Sequence, residues 1–136
     1  MVTGEWWGER VLAKSFRDLE VYKLSRELSQ EVFQVSKNFP REEQYSLTDQ
    51  MRRASRSVGA QIAEAWAKRR YQKHFISKLT DADGEQQETQ HWIETAFDCG
   101  YLSKSQVESL LERYASVGRM LNGMVNKADQ FCLPIP

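Results

Sequence analysis

The sequence predicts an all-α protein, an antiparallel up-down-up-down four-helix bundle. Three observations carry this expectation. Apolar residues recur at steps of three and four through four successive segments. Only 7 Gly and 3 Pro interrupt the 136 residues, so little in the chain opposes helix. The breaks between the segments are short, which makes consecutive helices antiparallel neighbours. A chain of this length forms one domain and buries a core without disulfides or metal.

Residues 1–15 show no sustained period and are expected to form a tail, with the bundle over 16–132 and a second tail over 133–136. Trp6 and Trp7 stand out in the first tail. Paired indoles in a tail are expected to dock on either the parent fold or a neighbour, with the protein itself the first expectation. The first helix is expected from Phe16 to Phe39. Val21, Leu24, Leu28, Val32, Val35 and Phe39 make its apolar stripe, with Lys23, Arg26, Glu27, Gln30, Gln34 and Lys37 opposite. Pro40 ends it, because the residue before proline is pushed out of the α region.

The second helix is expected from Ser46, which can cap, with Asp49 favouring the N-terminal end of the dipole. Its stripe is Leu47, Met51, Ala54, Val58, Ile62 and Ala65. Ala54, Ser55, Ser57, Gly59, Ala60 and Ala63 keep its middle small, which lets a neighbouring helix approach closely. Helical propensity alone continues from 46 to 99, a rod of roughly 80 Å that suits no compact domain. A turn is therefore placed between Lys68 and Gln72. The third helix carries Phe75, Leu79, Ala82, Gln86, Ile93 and Phe97 to about Cys99, where Gly100 supplies a left-handed stop. Gln86, Thr89 and Gln90 are polar within that stripe, as a satisfied hydrogen-bonded layer or as the lining of an oligomer channel. Ser103 caps the fourth helix, with Val107, Leu110, Leu111, Tyr114, Leu121, Val125 and Ala128 at helical spacing. Leu133-Pro-Ile-Pro136 cannot continue it.

Lys plus Arg and Asp plus Glu number 19 each, so overall charge predicts no strong attraction to nucleic acid or to anionic membrane. Any such attraction must come from how the charges are arranged. Between Met51 and Phe75 stand Arg52, Arg53, Arg56, Lys68, Arg69, Arg70 and Lys73 against Glu64 alone, a sum of +6. Between Ile76 and Asp98 stand Asp81, Asp83, Glu85, Glu88, Glu94 and Asp98 against Lys78 alone, a sum of −5. Arg52, Arg53 and Arg56 lie opposite the apolar stripe and are expected to be exposed. Lys68, Arg69, Arg70 and Lys73 cluster at a helix end around Tyr71. This is a candidate phosphate-binding surface with a ring for stacking. The alternative is a solvated basic face pairing with the acidic third helix.

Glu88 and His91 have the Glu-x-x-His spacing of di-iron bundles, but such sites need a second copy and two further glutamates. No metal, cofactor or catalytic residue is expected. Cys99 and Cys132 are expected as reduced, partly buried thiols rather than a disulfide framework. The opening ten residues show neither a basic start nor an apolar run, so no secretory leader is expected. No window approaches the roughly 20 apolar residues of a membrane span. The expected compartment is the cytoplasm. Tyr22 and Phe33 on helix 1, and Val117, Met120, Met124 and Phe131 on helix 4, widen the apolar faces beyond one stripe. This predicts a homo-oligomer.

The run Phe16-Arg-Asp-Leu-Glu-Val-Tyr-Lys-Leu24, then Phe39-Pro40, Tyr45-Ser-Leu-Thr-Asp-Gln-Met-Arg-Arg-Ala-Ser55, Ser57-Val58, Ile62-Ala-Glu64, Glu88-Thr-Gln90 and Gly100-Tyr-Leu102 resembles the bacterial four-helix-bundle family named for ribosomal RNA intervening-sequence proteins. The resemblance covers about residues 16 to 130. It departs at Gly59 and Gln61, where the family usually has proline and asparagine, and at Ala65, near which it usually has glycine. It implies a homopentamer with a central channel. It also implies kinship with accessory proteins of diversity-generating retroelements, which bind nucleic acid and a reverse transcriptase. It brings no catalytic residues.

The function expected is a non-enzymatic oligomeric accessory module. It would bind RNA or DNA without reading sequence, through Arg52, Arg53, Arg56, Lys68, Arg69, Arg70 and Lys73, with a reverse transcriptase or ribonucleoprotein as a further partner. The alternative is a structural protein–protein scaffold with no nucleic-acid role. An enzyme with a metal in the bundle ranks third.

Overall fold

A computed structural model describes residues 13–133. Trp6, Trp7 and their expected docking lie outside the described residues, as do Pro134, Ile135 and Pro136 of the second tail. Four long helices make up the described chain: α1 (Glu20–Ser36), α2 (Leu47–Ala67), α3 (Gln72–Asp98) and α4 (Lys104–Asn126), followed by the single turn α5 (Ala128–Phe131). The described residues contain no strand. α2 packs along α3, α3 along α4, and α1 closes the ring against both α2 and α4. With short connections this is the antiparallel four-helix bundle.

The stripe predicted for α2 is buried in full: Leu47, Met51, Ala54, Val58, Ile62 and Ala65. It meets Leu28 and Val32 of α1, Phe75, Leu79 and Ile93 of α3, and Leu110, Tyr114, Val117 and Leu121 of α4 in one core. Each fully buried Leu, Ile, Val, Phe or Met contributes about 1.5–3 kcal/mol relative to exposure. Small residues set the helix spacing where expected. A β-carbon on Gly59 would lie 3.4 Å from Ser25 Oγ and 3.5 Å from the Tyr22 ring, so α1 and α2 come close there. On α4, a β-carbon on Gly118 would lie 2.8 Å from Gln86 Nε2. The polar layer on α3 is satisfied within the helix. Gln86 Nε2 donates to Asp83, Gln90 Nε2 to Gln86 Oε1, and Thr89 Oγ1 to the Glu85 carbonyl.

The ends differ from the sequence reading. Residues 16–18 form a separate 3-10 turn. Ser15 Oγ accepts the Arg17 N–H, and the Asp18 carboxylate accepts the N–H groups of Lys14 and Ser15. Leu19 is extended, and α1 begins only at Glu20. α1 also stops at Ser36, short of the expected Phe39. Ser46 does not cap α2 with its side chain. Its hydroxyl donates to Glu43 Oε1 at 2.7 Å, and the Glu43 carboxylate accepts a backbone bond from Leu47. A carboxylate from the preceding turn has taken the capping role. Ser103 and Gly100 behave as predicted: Ser103 forms a capping box with Gln106, and Gly100 has φ +81°.

Phe97 is exposed, and Ala96 is buried in its place. Val117, Met124 and Phe131 belong to the core of the single chain, and only Met120 of that predicted second edge is exposed. Tyr22 is half-buried and stacks on Phe16 at 4.8 Å. Cys99 is exposed rather than partly buried, Cys132 is half-buried, and both are free thiols. No described helix is long and apolar enough to cross a membrane.

Candidate nucleic-acid interface

Arg52, Arg53 and Arg56 project from α2 away from Met51, Ala54 and Val58, but they do not form one uniform free face. Arg52 is half-buried toward α1. Its Nε donates to Ser36 Oγ at 2.8 Å, and its guanidinium lies 4.7 Å from the Phe33 ring centre. Arg56 is exposed at the same ring, 5.4 Å away. Lys37 completes the group at 4.8 Å. Three cations thus converge on one aromatic ring, each within cation–π range. The sequence reading placed Lys37 on the solvent side of helix 1 without joining it to the patch. Phe33, read there as an edge for subunit contact, is the ring that gathers it.

Arg53 is exposed in a groove between α2 and α3 that Arg56, Ser57, Glu85 and Glu88 also line. Burial raises the Glu85 carboxyl, and Glu88 and Asp81 raise it further. A hydrogen bond from Ser57 and the charge of Arg53 oppose that rise. Arg53 is therefore a neighbour of Glu85 in the way the charge-pairing alternative requires.

The second cluster sits at the α2–α3 turn. Arg69 is pinned: its guanidinium stacks on Trp66 at 3.7 Å, and its Nε donates to the Trp66 carbonyl at 2.9 Å. Burial lowers its pKa, with Cys132 beside it pulling the other way. Its own carbonyl accepts the Leu133 N–H at 3.0 Å, which ties the end of the described chain to the turn. Lys68, Arg70 and Lys73 are exposed around Tyr71, itself 58% exposed. The two clusters are separated along α2 by the run from Arg56 to Lys68, roughly 18 Å of helix.

One ion pair joins α2 to α3. Lys78 Nζ lies 2.9 Å from Glu64 Oε1 and 3.9 Å from Asp81, and it donates to Gln61 Oε1. The hydrogen bond to Glu64 raises the Lys78 pKa. Glu64 is the only acid between Met51 and Phe75, and Lys78 the only base between Ile76 and Asp98. The two exceptions pair with each other, so this bridge consumes none of the basic excess. Among the described residues, no ion pair includes Arg53, Lys68, Arg70 or Lys73.

Glu88 and His91 both engage Trp92. The Glu88 carboxylate accepts the indole N–H at 3.1 Å, and the imidazole meets the indole edge-on at 4.7 Å. Among the described residues, no three His, Cys, Asp or Glu side chains gather as metal ligands.

A family model described as 23S rRNA-intervening sequence protein matches residues 17–123. A crystal structure of a protein of unknown function from the S23 ribosomal protein family of Bacteroides thetaiotaomicron is similar, with 26% sequence identity and a TM-score of 0.71. The match covers 78% of this chain and 95% of that one. No curated protein matches the chain.

Proposed function

Since the chain belongs to the 23S rRNA-intervening sequence protein family, we propose that it is a non-enzymatic accessory module that binds nucleic-acid phosphates through the basic side of α2 and the α2–α3 turn. The observation that carries this reading is the Lys78–Glu64 pair. It removes the lone acid from the basic stretch and the lone base from the acidic one, and leaves Arg53, Lys68, Arg70 and Lys73 exposed. Among the described residues these four cations have no ion-pair partner, and exposed cations displace counterions from a phosphate backbone, which gives affinity without sequence readout. Arg52, Arg56 and Arg69 serve this surface differently. They are held on Phe33 and Trp66, so they add positive potential more than movable forks.

The module acts as a homo-oligomer, with five copies expected from the family resemblance, in the cytoplasm. Repetition of a weak patch around a ring multiplies avidity. A reverse transcriptase or other ribonucleoprotein is the kind of protein partner that a phosphate-binding accessory fits. The test is retention of the purified oligomer on immobilised RNA and DNA at low salt. Retention released by added salt supports the reading, and absence of retention overturns it.

A second reading rests on Arg53. Its proximity to Glu85 favours a protein–protein scaffold in which charges of α2 and α3 meet each other or an acidic partner. In that case the oligomer forms without retaining nucleic acid.

A further inference from the structure

The aromatic rings among the basic residues fall into two kinds. Phe33 is covered by Lys37, Arg52 and Arg56, and Trp66 by Arg69. Their π-faces are already engaged by cations of the same chain. Tyr71 differs. The residue is 58% exposed, and its ring contact is with His74, tilted by 57° at 5.4 Å between centroids. A tilted neighbour at that distance leaves ring surface open. The chain places Lys68, Arg70 and Lys73, all exposed, within three residues of this ring.

Backbone hydrogen bonds fix the chain that carries the ring. The Tyr71 N–H donates to the Lys68 carbonyl at 3.1 Å, and the Tyr71 carbonyl accepts the Phe75 N–H at 3.0 Å. Tyr71 is extended, with φ −124° and ψ 110°, as the residue that leads into α3. Phe75, one turn further on, is fully buried and anchors α3 in the core. An exposed aromatic ring on a hydrogen-bonded turn, with three exposed cations within three residues of it along the chain, suits an unpaired base with phosphates on either side. A duplex keeps its bases stacked on one another and presents no free base face to Tyr71.

Resting on the nucleic-acid reading above, we propose that the α2–α3 turn is a single-strand site: Tyr71 stacks an unpaired base while Lys68, Arg70 and Lys73 hold the flanking phosphates. RNA and DNA single strands share this chemistry, so the ligand class is the single strand. A stacked base contributes about 1–3 kcal/mol, which corresponds to roughly 5- to 150-fold in affinity.

The experiment is fluorescence anisotropy of the full-length protein with a labelled uridine homopolymer, a thymidine homopolymer and a duplex of equal length, at low salt. The variants are Y71A, Y71F and R70A. Y71A is expected to weaken both homopolymers within that range and leave the duplex unchanged, while Y71F, which keeps the ring, binds as wild type. R70A is expected to weaken all three, as phosphate contacts do. Equal weakening of homopolymer and duplex by Y71A, or no weakening of either, overturns the single-strand site even where R70A shows that phosphates are bound. Absence of wild-type binding to all three overturns the nucleic-acid reading, and the single-strand site with it.

Discussion

Lys78 of α3 and Glu64 of α2 are joined at 2.9 Å, and each is the only charge of its sign in its own stretch of sequence. Their pairing is neutral overall, so it leaves the basic excess of α2 and the acidic excess of α3 unchanged. Glu64→Gln removes the lone acid and leaves Lys78 with Asp81 and Gln61, which adds one net positive charge to this side of the bundle. The expected result is elution from immobilised nucleic acid at higher salt than wild type. Elution at equal or lower salt counts against a basic phosphate surface.

Arg52 and Arg53 are adjacent in sequence and opposite in role. Arg52 donates to Ser36 Oγ across the α1–α2 contact and lies on Phe33, whereas Arg53 is exposed. Arg52→Ala is expected to lower unfolding stability by about 1–2 kcal/mol, from one lost hydrogen bond and one cation–π contact. Arg53→Ala is expected to stay within about 0.5 kcal/mol of wild type. Urea unfolding with both variants checks this, and equal stabilities would show that Arg52 does not brace the bundle.

Two glycines in helices should respond in opposite directions. Gly84 has nothing within 4 Å of an added β-carbon, so Gly84→Ala is expected to gain up to about 1 kcal/mol from helix propensity. On Gly118 the same β-carbon meets Gln86 Nε2 at 2.8 Å, and Gln86 is buried and bonded to Asp83 and Gln90. Moving it disturbs that layer, so Gly118→Ala is expected to lose about 1 kcal/mol despite the better propensity. Matched denaturant curves decide between these signs.

How far these roles were legible in the sequence depends on how local their causes are. The α2 stripe from Leu47 to Ala65 and the turn between Lys68 and Gln72 follow from period and compactness, and both are as expected. The Arg69–Trp66 stack spans three residues, and the spacing could have shown it. Arg52 to Ser36 spans sixteen residues, and no local pattern reports such a bond. Ser46 has a capping residue's chemistry, but its hydroxyl donates to Glu43, whose carboxylate also takes the Leu47 N–H. Phe97 satisfies the three-or-four rule, as Ala96 does, and only the packed bundle selects between them. The seven basic residues were therefore visible as a set. Their division into held and exposed members needed Phe33, Trp66 and Ser36 placed in space.

The Glu31–Arg113 pair predicts a pH dependence. Arg113 donates to Glu31 Oε2 at 2.7 Å and also to Oε1, which joins α4 to α1. That bond holds the Glu31 carboxyl below its ordinary 4.5, with burial opposing. The unfolded chain therefore takes up the proton first as pH falls. The contribution is fully present above 4.5 and is lost as pH falls through the lower folded value. Glu31→Gln is expected to lower stability at neutral pH and to flatten the fall in stability on the acid side. An unchanged acid limb in the variant would show that Glu31 does not titrate with folding.

The central claim is that exposed cations on α2 and the α2–α3 turn bind phosphate, and the salt dependence of affinity tests it most directly. If Arg53, Lys68, Arg70 and Lys73 each neutralise one phosphate, log K against log salt should fall with a slope of about −2.8 per chain on single strands and about −3.6 on duplex. The variant carrying Arg53→Ala and Arg70→Ala should fold as wild type, bind more weakly, and flatten the single-strand slope by about 1.4. A wild-type protein that binds no RNA or DNA at low salt, or a double variant with the wild-type slope, would contradict the account and leave a scaffold whose α2 and α3 charges serve protein contacts.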